Sequence, residues 1–123
     1  MNIHKRRLYR FAFFLTLSAI AWLSLLPNDR EAVRHMPSLT PSAFEMHVLA
    51  YAVAVGLGFG GFGFNLPITF GVFLYGTLLE FAQHFIPTRS FNPFDALANA
   101  VGILLCSVWY GYFEKRRSAP DSA

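Results

Sequence analysis

Cysteine occurs once in this chain, at Cys106 inside an apolar run, so no internal disulfide can form. A thiolate nucleophile or a soft-metal thiolate site is not expected there. Charge is equally scarce. Only 14% of the 123 residues are Asp, Glu, Lys or Arg, against about 25% in an ordinary soluble domain. From Val48 to Leu79 there is no charged residue at all. These shortages exclude a typical soluble domain with a solvated shell. In their place stand 54% hydrophobic residues and a mean hydropathy of +0.41, the composition of a chain whose solvent is lipid.

The formal charge of +3 does not point to nucleic acid, because most of it lies at the two ends beside long apolar stretches. The first such stretch, residues 11–28, follows Lys5, Arg6, Arg7 and Arg10 and invites comparison with a secretory signal peptide. It is long for that purpose, and Leu25, Leu26 and Pro27 offer no small-residue cleavage site before Asp29. It is expected to remain as a first membrane span.

A helix rises about 1.5 Å per residue, so about 20 residues cross the roughly 30 Å hydrocarbon core. The spacing predicts spans over residues 8–26, 43–60, 67–86 and 94–113, with a disordered tail over 114–123. Gly60, Gly61, Gly63, Asn65 and Pro67 supply a turn between the second and third spans, and Pro87, Arg89, Asn92 and Pro93 break the chain before the fourth. Trp109, Tyr110 and Tyr112 form an interfacial aromatic belt at its end. The fold class expected is an all-α membrane protein, a four-helix transmembrane bundle forming a single domain over residues 1–123.

Orientation follows from Lys and Arg. Seven of the ten lie in the two tails; the others are Arg30, Arg34 and Arg89, and the glycine-rich loop has none. Four spans require both tails on one side, and both tails are basic. Both termini are therefore expected in the cytoplasm, with residues 28–42 and 87–93 facing out.

This topology gathers the polar residues of three spans at the outer side. His47 and Tyr51, four apart, share a helix face, and so do Glu80 and Gln83, three apart, with Gly76 on the same stripe. Asp95, Asn99, Gly102 and Cys106 form one stripe on the fourth span. An ionisable group in hydrocarbon costs about 2.5 to 3.5 kcal/mol, so Glu80 is expected to face the bundle interior with a partner. Arg89 is the first choice, His47 or His84 the alternatives. A structural explanation is an ion-pair network of Glu80, Arg89 and Asp95 that locks the helices. Interhelical polar contacts in membranes average under about 1 kcal/mol each, which accounts poorly for so many in one place. A site opening outward accounts for them better.

Other features carry less. His4 and His35 are expected to be solvated, and His84 fits an interfacial residue as well as it fits a ligand. A metal held by His47, Glu80 and Asp95 is chemically possible, but nothing in the spacing requires it; neither a metal nor a cofactor is assigned. Gly56, Gly58 and Gly61 match G-x-G-x-x-G by letter alone, with no strand before them. Gly56 and Gly60 are better explained by close helix packing.

The series Ser24-Leu25-Leu26-Pro27, His47 with Tyr51, then Glu80-x-x-Gln83, Pro87-x-Arg89 and Asp95-x-x-x-Asn99-x-x-Gly102 resembles the VanZ-like family of small bacterial membrane proteins. The likeness runs from about Leu23 to Gly102. Many relatives carry Asp-Lys four and three residues before the histidine, where this chain has Ala43 and Phe44, with Glu45 nearby. The resemblance implies a multi-pass protein of the bacterial cytoplasmic (inner) membrane and cell envelope. Some relatives are linked to resistance against glycopeptides such as teicoplanin.

Three functions are weighed. In the first, the protein binds or modifies an anionic envelope component or lipid head group at the outer leaflet. Arg89 grips phosphate or carboxylate, with Gln83, Asn99 and Tyr51 lining the site. Glu80, Asp95 and His47 act as acid, base or proton shuttle. In the second, Glu80 is the carboxylate of a small proton-coupled transporter. In the third, the chain is an accessory subunit docking a membrane protein or a second copy of itself. The expected partners are thus a membrane lipid or lipid-linked envelope component, a membrane protein or a homo-oligomer, and not nucleic acid. Whether the protein is an enzyme is left open.

Overall fold

In the computed structural model, residues 2–25, 43–86 and 93–118 are described. They form four helices: α1, Ile3–Leu25; α2, Ala43–Phe62; α3, Leu66–His84; and α4, Pro93–Ser118. At about 1.5 Å per residue, lengths of 19 to 26 residues give about 28 to 39 Å. Each helix is long and apolar enough to cross a membrane. The outward side chains agree: Leu8, Phe11, Trp22, Phe70, Leu104 and Val108 are all more than three-fifths exposed. In water so continuous an apolar surface is costly; in lipid it is the solvated face.

The helix limits differ from the predicted spans in both directions. α1 already begins at Ile3, so the basic segment is helical. α3 ends at His84, two residues before the expected limit. α4 continues to Ser118 rather than giving way to a disordered tail at Glu114. Its last turn carries Lys115, Arg116 and Arg117, which suit the negative end of a helix dipole, and the Ser118 hydroxyl donates to the Glu114 carbonyl at 2.7 Å. Residues 119–123 of the predicted tail lie outside the described residues.

The turn between α2 and α3 is tighter than the run of turn-forming residues suggests. Gly60 and Gly61 belong to α2; only Gly63, at φ +89°, takes the left-handed conformation that glycine tolerates. Asn65 then caps α3. Its side-chain oxygen accepts from the Ile68 N–H at 2.9 Å, its amide donates to the Phe62 and Gly63 carbonyls, and Pro67 stands in the first turn, where a missing N–H costs nothing.

The chain runs up, down, up and down. α2 touches all three other helices, most extensively α4 and then α1. Gly60 and Gly61 allow Tyr9 and Arg10 of α1 to approach α2, and the Arg10 guanidinium donates to the Gly61 carbonyl at 2.9 Å while lying over the Phe62 ring. Gly56 is less crowded, its nearest neighbour for an added Cβ being Cys106 Sγ at 3.4 Å. Phe59, Phe64 and Tyr110 pack together at the same end of the bundle. α1 and α3 are tied by two hydrogen bonds to α1 carbonyls, from Tyr75 to Leu17 at 2.6 Å and from Gln83 to Ser24 at 2.9 Å. The core between the ends is apolar: Phe13, Ile20, Ala54, Val55, Val72 and Ile103.

Candidate functional site

Antiparallel packing brings the start of α2, the end of α3 and the start of α4 to one end of the bundle. This is the end opposite Gly63 and the two chain tails. His47 and Tyr51 come from α2, Glu80 and Gln83 from α3, and Asp95 and Asn99 from α4. Pro93 opens α4 at a position that proline favours, and Asp95 in its first turn suits the positive end of the helix dipole.

His47 is the centre of the group. Its Nδ1 lies 2.9 Å from Asn99 Oδ1, and its Nε2 lies 3.9 Å from Asp95 Oδ2. One ligand-type atom from each of His47, Glu80 and Asp95 falls within 4.8 Å of the others, the arrangement of residues able to hold a metal ion. The Tyr51 ring runs parallel to the imidazole, 6.4 Å between centroids. Gly76 makes room for that ring: a Cβ there would meet Tyr51 Cε1 at 2.7 Å.

Burial is graded across the site. Glu80 and Asn99 are each 2% exposed, whereas the His47 and Asp95 side chains keep 21% and 20% of their surface. The cluster therefore has a closed floor of Glu80 and Asn99 and a mouth at His47 and Asp95, reached from the end of the bundle. A carboxylate as enclosed as Glu80 is stable only among groups that compensate its charge, and His47 faces it.

The structure brings His47, Tyr51, Glu80, Asp95 and Asn99 together. Gln83 is buried nearby, but its amide nitrogen is engaged with the Ser24 carbonyl of α1, which makes it a tie between helices. Arg89, the first choice as partner of Glu80, lies outside the described residues; of the two alternatives, His47 is beside Glu80, and His84 is exposed against Phe85. One contributor escapes sequence reasoning, the backbone carbonyl of Ser24, which has no sequence signature; Gly102, which the sequence puts on the Asp95 and Asn99 stripe, is where the Val48 backbone approaches α4. A separate shallow depression of about 510 Å³, lined by Trp109, Tyr110, Phe113 and Glu114 among others, lies at the tail end of α4, far from this chemistry.

Compared with models of protein families, with curated proteins and with solved structures, the chain matches none.

Proposed function

We propose that this chain is a multi-pass protein of the bacterial cytoplasmic membrane, of the VanZ-like kind, that binds or modifies an anionic envelope component at the outer leaflet. One observation carries the reading: three helices deliver an imidazole, two carboxyl groups and a carboxamide to one end of a bundle that is otherwise apolar. The residue series from Ser24 to Gly102 adds the family resemblance, and with it a link to glycopeptide susceptibility. The basic tails argue for a cytoplasmic location of the opposite end, which puts the mouth of the cluster just beneath the outer surface. Arg89 lies outside the described residues; in this reading its guanidinium is the planar donor fork for phosphate or carboxylate. The Phe59, Phe64 and Tyr110 packing at the other end favours access from one side over the alternating access of a transporter.

The topology is tested in a Cys106→Ala background. Ser90→Cys is expected to react with a membrane-impermeant maleimide in intact cells, and Ser118→Cys only after lysis. The reverse pattern overturns the orientation.

Ligand binding is tested by native mass spectrometry of the purified protein with phosphatidylglycerol and with phosphatidylcholine. Retention of the anionic lipid is expected to fall about tenfold or more in Arg89→Ala, the worth of one hydrogen bond to a charged group, about 1.5 to 3 kcal/mol. Equal retention of both lipids, or no change in the variant, removes the reading.

A further inference from the structure

The polar cluster has a donor set that anion binding leaves unexplained. Two carboxyl groups and one imidazole share its centre, one ligand-type atom of each lying within 4.8 Å of the others. Two oxygen donors and one nitrogen donor from three helices are a set that suits a cation.

The hydrogen bonding indicates where the cation sits. With Asn99 Oδ1 as the acceptor in the 2.9 Å contact, the imidazole proton is assigned to His47 Nδ1. In the neutral ring the lone pair is then on Nε2. Nε2 lies 3.9 Å from Asp95 Oδ2, too far for a hydrogen bond. A metal-binding histidine has this arrangement: one ring nitrogen anchored by a buried acceptor, the other turned to hard ligands. A second observation agrees. Asn99 Nδ2 is buried and has no hydrogen-bond partner among the described residues, which leaves a donor at the site for a group bound to the ion.

We infer that His47 Nε2, Glu80 and Asp95 form a binding site for a divalent transition-metal ion of the zinc type, with Asn99 orienting the histidine. One nitrogen and two carboxylate oxygens suit such an ion. At bond lengths of about 2.0 to 2.1 Å, tetrahedral ligands lie about 3.3 Å apart. The 3.9 Å pair is close to that, and the full set lies within 4.8 Å. Each of three helices contributes a ligand, and the partly exposed His47 and Asp95 leave the remaining coordination position facing the mouth. A phosphate or carboxylate oxygen fits that position, but the inference goes beyond the function proposed above and does not need it: the ion is held by the three residues alone.

The test uses full-length, untagged protein in detergent, stripped with a chelator and titrated with Zn²⁺ by equilibrium dialysis and elemental analysis. One ion per chain is expected. Glu80→Gln, Asp95→Asn and His47→Gln are each expected to weaken binding by about a hundredfold. Asn99→Leu should weaken it about 10- to 100-fold, as loss of an outer-shell partner does, while Asn99→Asp, which keeps the acceptor, retains it. Circular dichroism and elution volume establish that each variant is folded, and the near-isosteric Glu80→Gln is the decisive one. Zn²⁺ binding that is absent in the folded wild type, or unchanged in folded Glu80→Gln, overturns the site. Phosphatidylglycerol retention, measured on the same samples, reports separately on the lipid reading: zinc bound without lipid preference sinks only that reading.

Discussion

Replacing Gly102 by alanine is expected to loosen α2 from α4 and to scatter the polar cluster with them. A Cβ at this position would run into the Val48 carbonyl oxygen and also lie 3.0 Å from its carbonyl carbon. The obstacle is backbone inside a helix, which cannot rotate aside, so the whole of α4 must move. Alanine gains up to about 1 kcal/mol of helix propensity over glycine, whereas overpacking a tight contact costs about 1 to 3 kcal/mol and sometimes more. The clash is therefore expected to win, with a net loss of about 1 to 3 kcal/mol in reversible unfolding by sodium dodecyl sulfate. Gly71→Ala is the matched control. It lies on α3 with nothing within 4 Å of an added Cβ, so only the propensity gain remains, and its stability should stay level or rise. Asn99 lies one turn from Gly102 and bonds His47, so Gly102→Ala should also weaken Zn²⁺ binding while Gly71→Ala leaves it intact. Equal stability of the two variants would mean that α2 and α4 do not approach closely at this level.

This contrast also marks what the sequence can tell. Hydropathy shows four apolar segments because lipid imposes the same demand on every span. Helical periodicity correctly groups His47 with Tyr51 and Asp95 with Asn99, since neighbours on one face depend on local geometry alone. Which face of one helix meets which face of the next depends on packing. The sequence puts Gly102 on the Asp95 and Asn99 stripe but gives no sign that a carbonyl lies against it, while Gly71 has open space. Gln83 shows the same limit. Its place on the Glu80 stripe suggests a ligand-binding amide, yet its nitrogen reaches a backbone carbonyl of α1, a partner available at any residue and therefore invisible in residue type. The choice between His47 and His84 as a group beside Glu80 depended likewise on how far α2 slides along α3.

His47→Leu is expected to destabilise the protein by about 2 to 4 kcal/mol, and adding Glu80→Leu to recover most of that loss. Removing one member of a buried polar network leaves its neighbours short of a partner; for a fully enclosed ion pair, the upper limit, the cost is about 3 to 5 kcal/mol. The mouth of this cluster is partly open, with about one-fifth of the His47 and Asp95 side chains exposed, and the cost is reduced accordingly. Replacing the whole group by apolar residues is another matter: exchanging a buried ionic cluster for hydrophobic side chains of similar size is often neutral or stabilising. His47→Leu, Glu80→Leu and Asp95→Asn combined should thus unfold at a detergent concentration equal to or above that of the wild type, with Zn²⁺ binding abolished. The singles and the combination must then depart from additivity by about 1 to 3 kcal/mol, as residues in one network do. This comparison separates a site from a scaffold. If the cluster exists to lock the helices, the apolar bundle loses its lock and becomes the least stable of the series. If it exists to hold a ligand, stability and binding part company, because the cluster is then a group whose stability cost is offset elsewhere in the bundle.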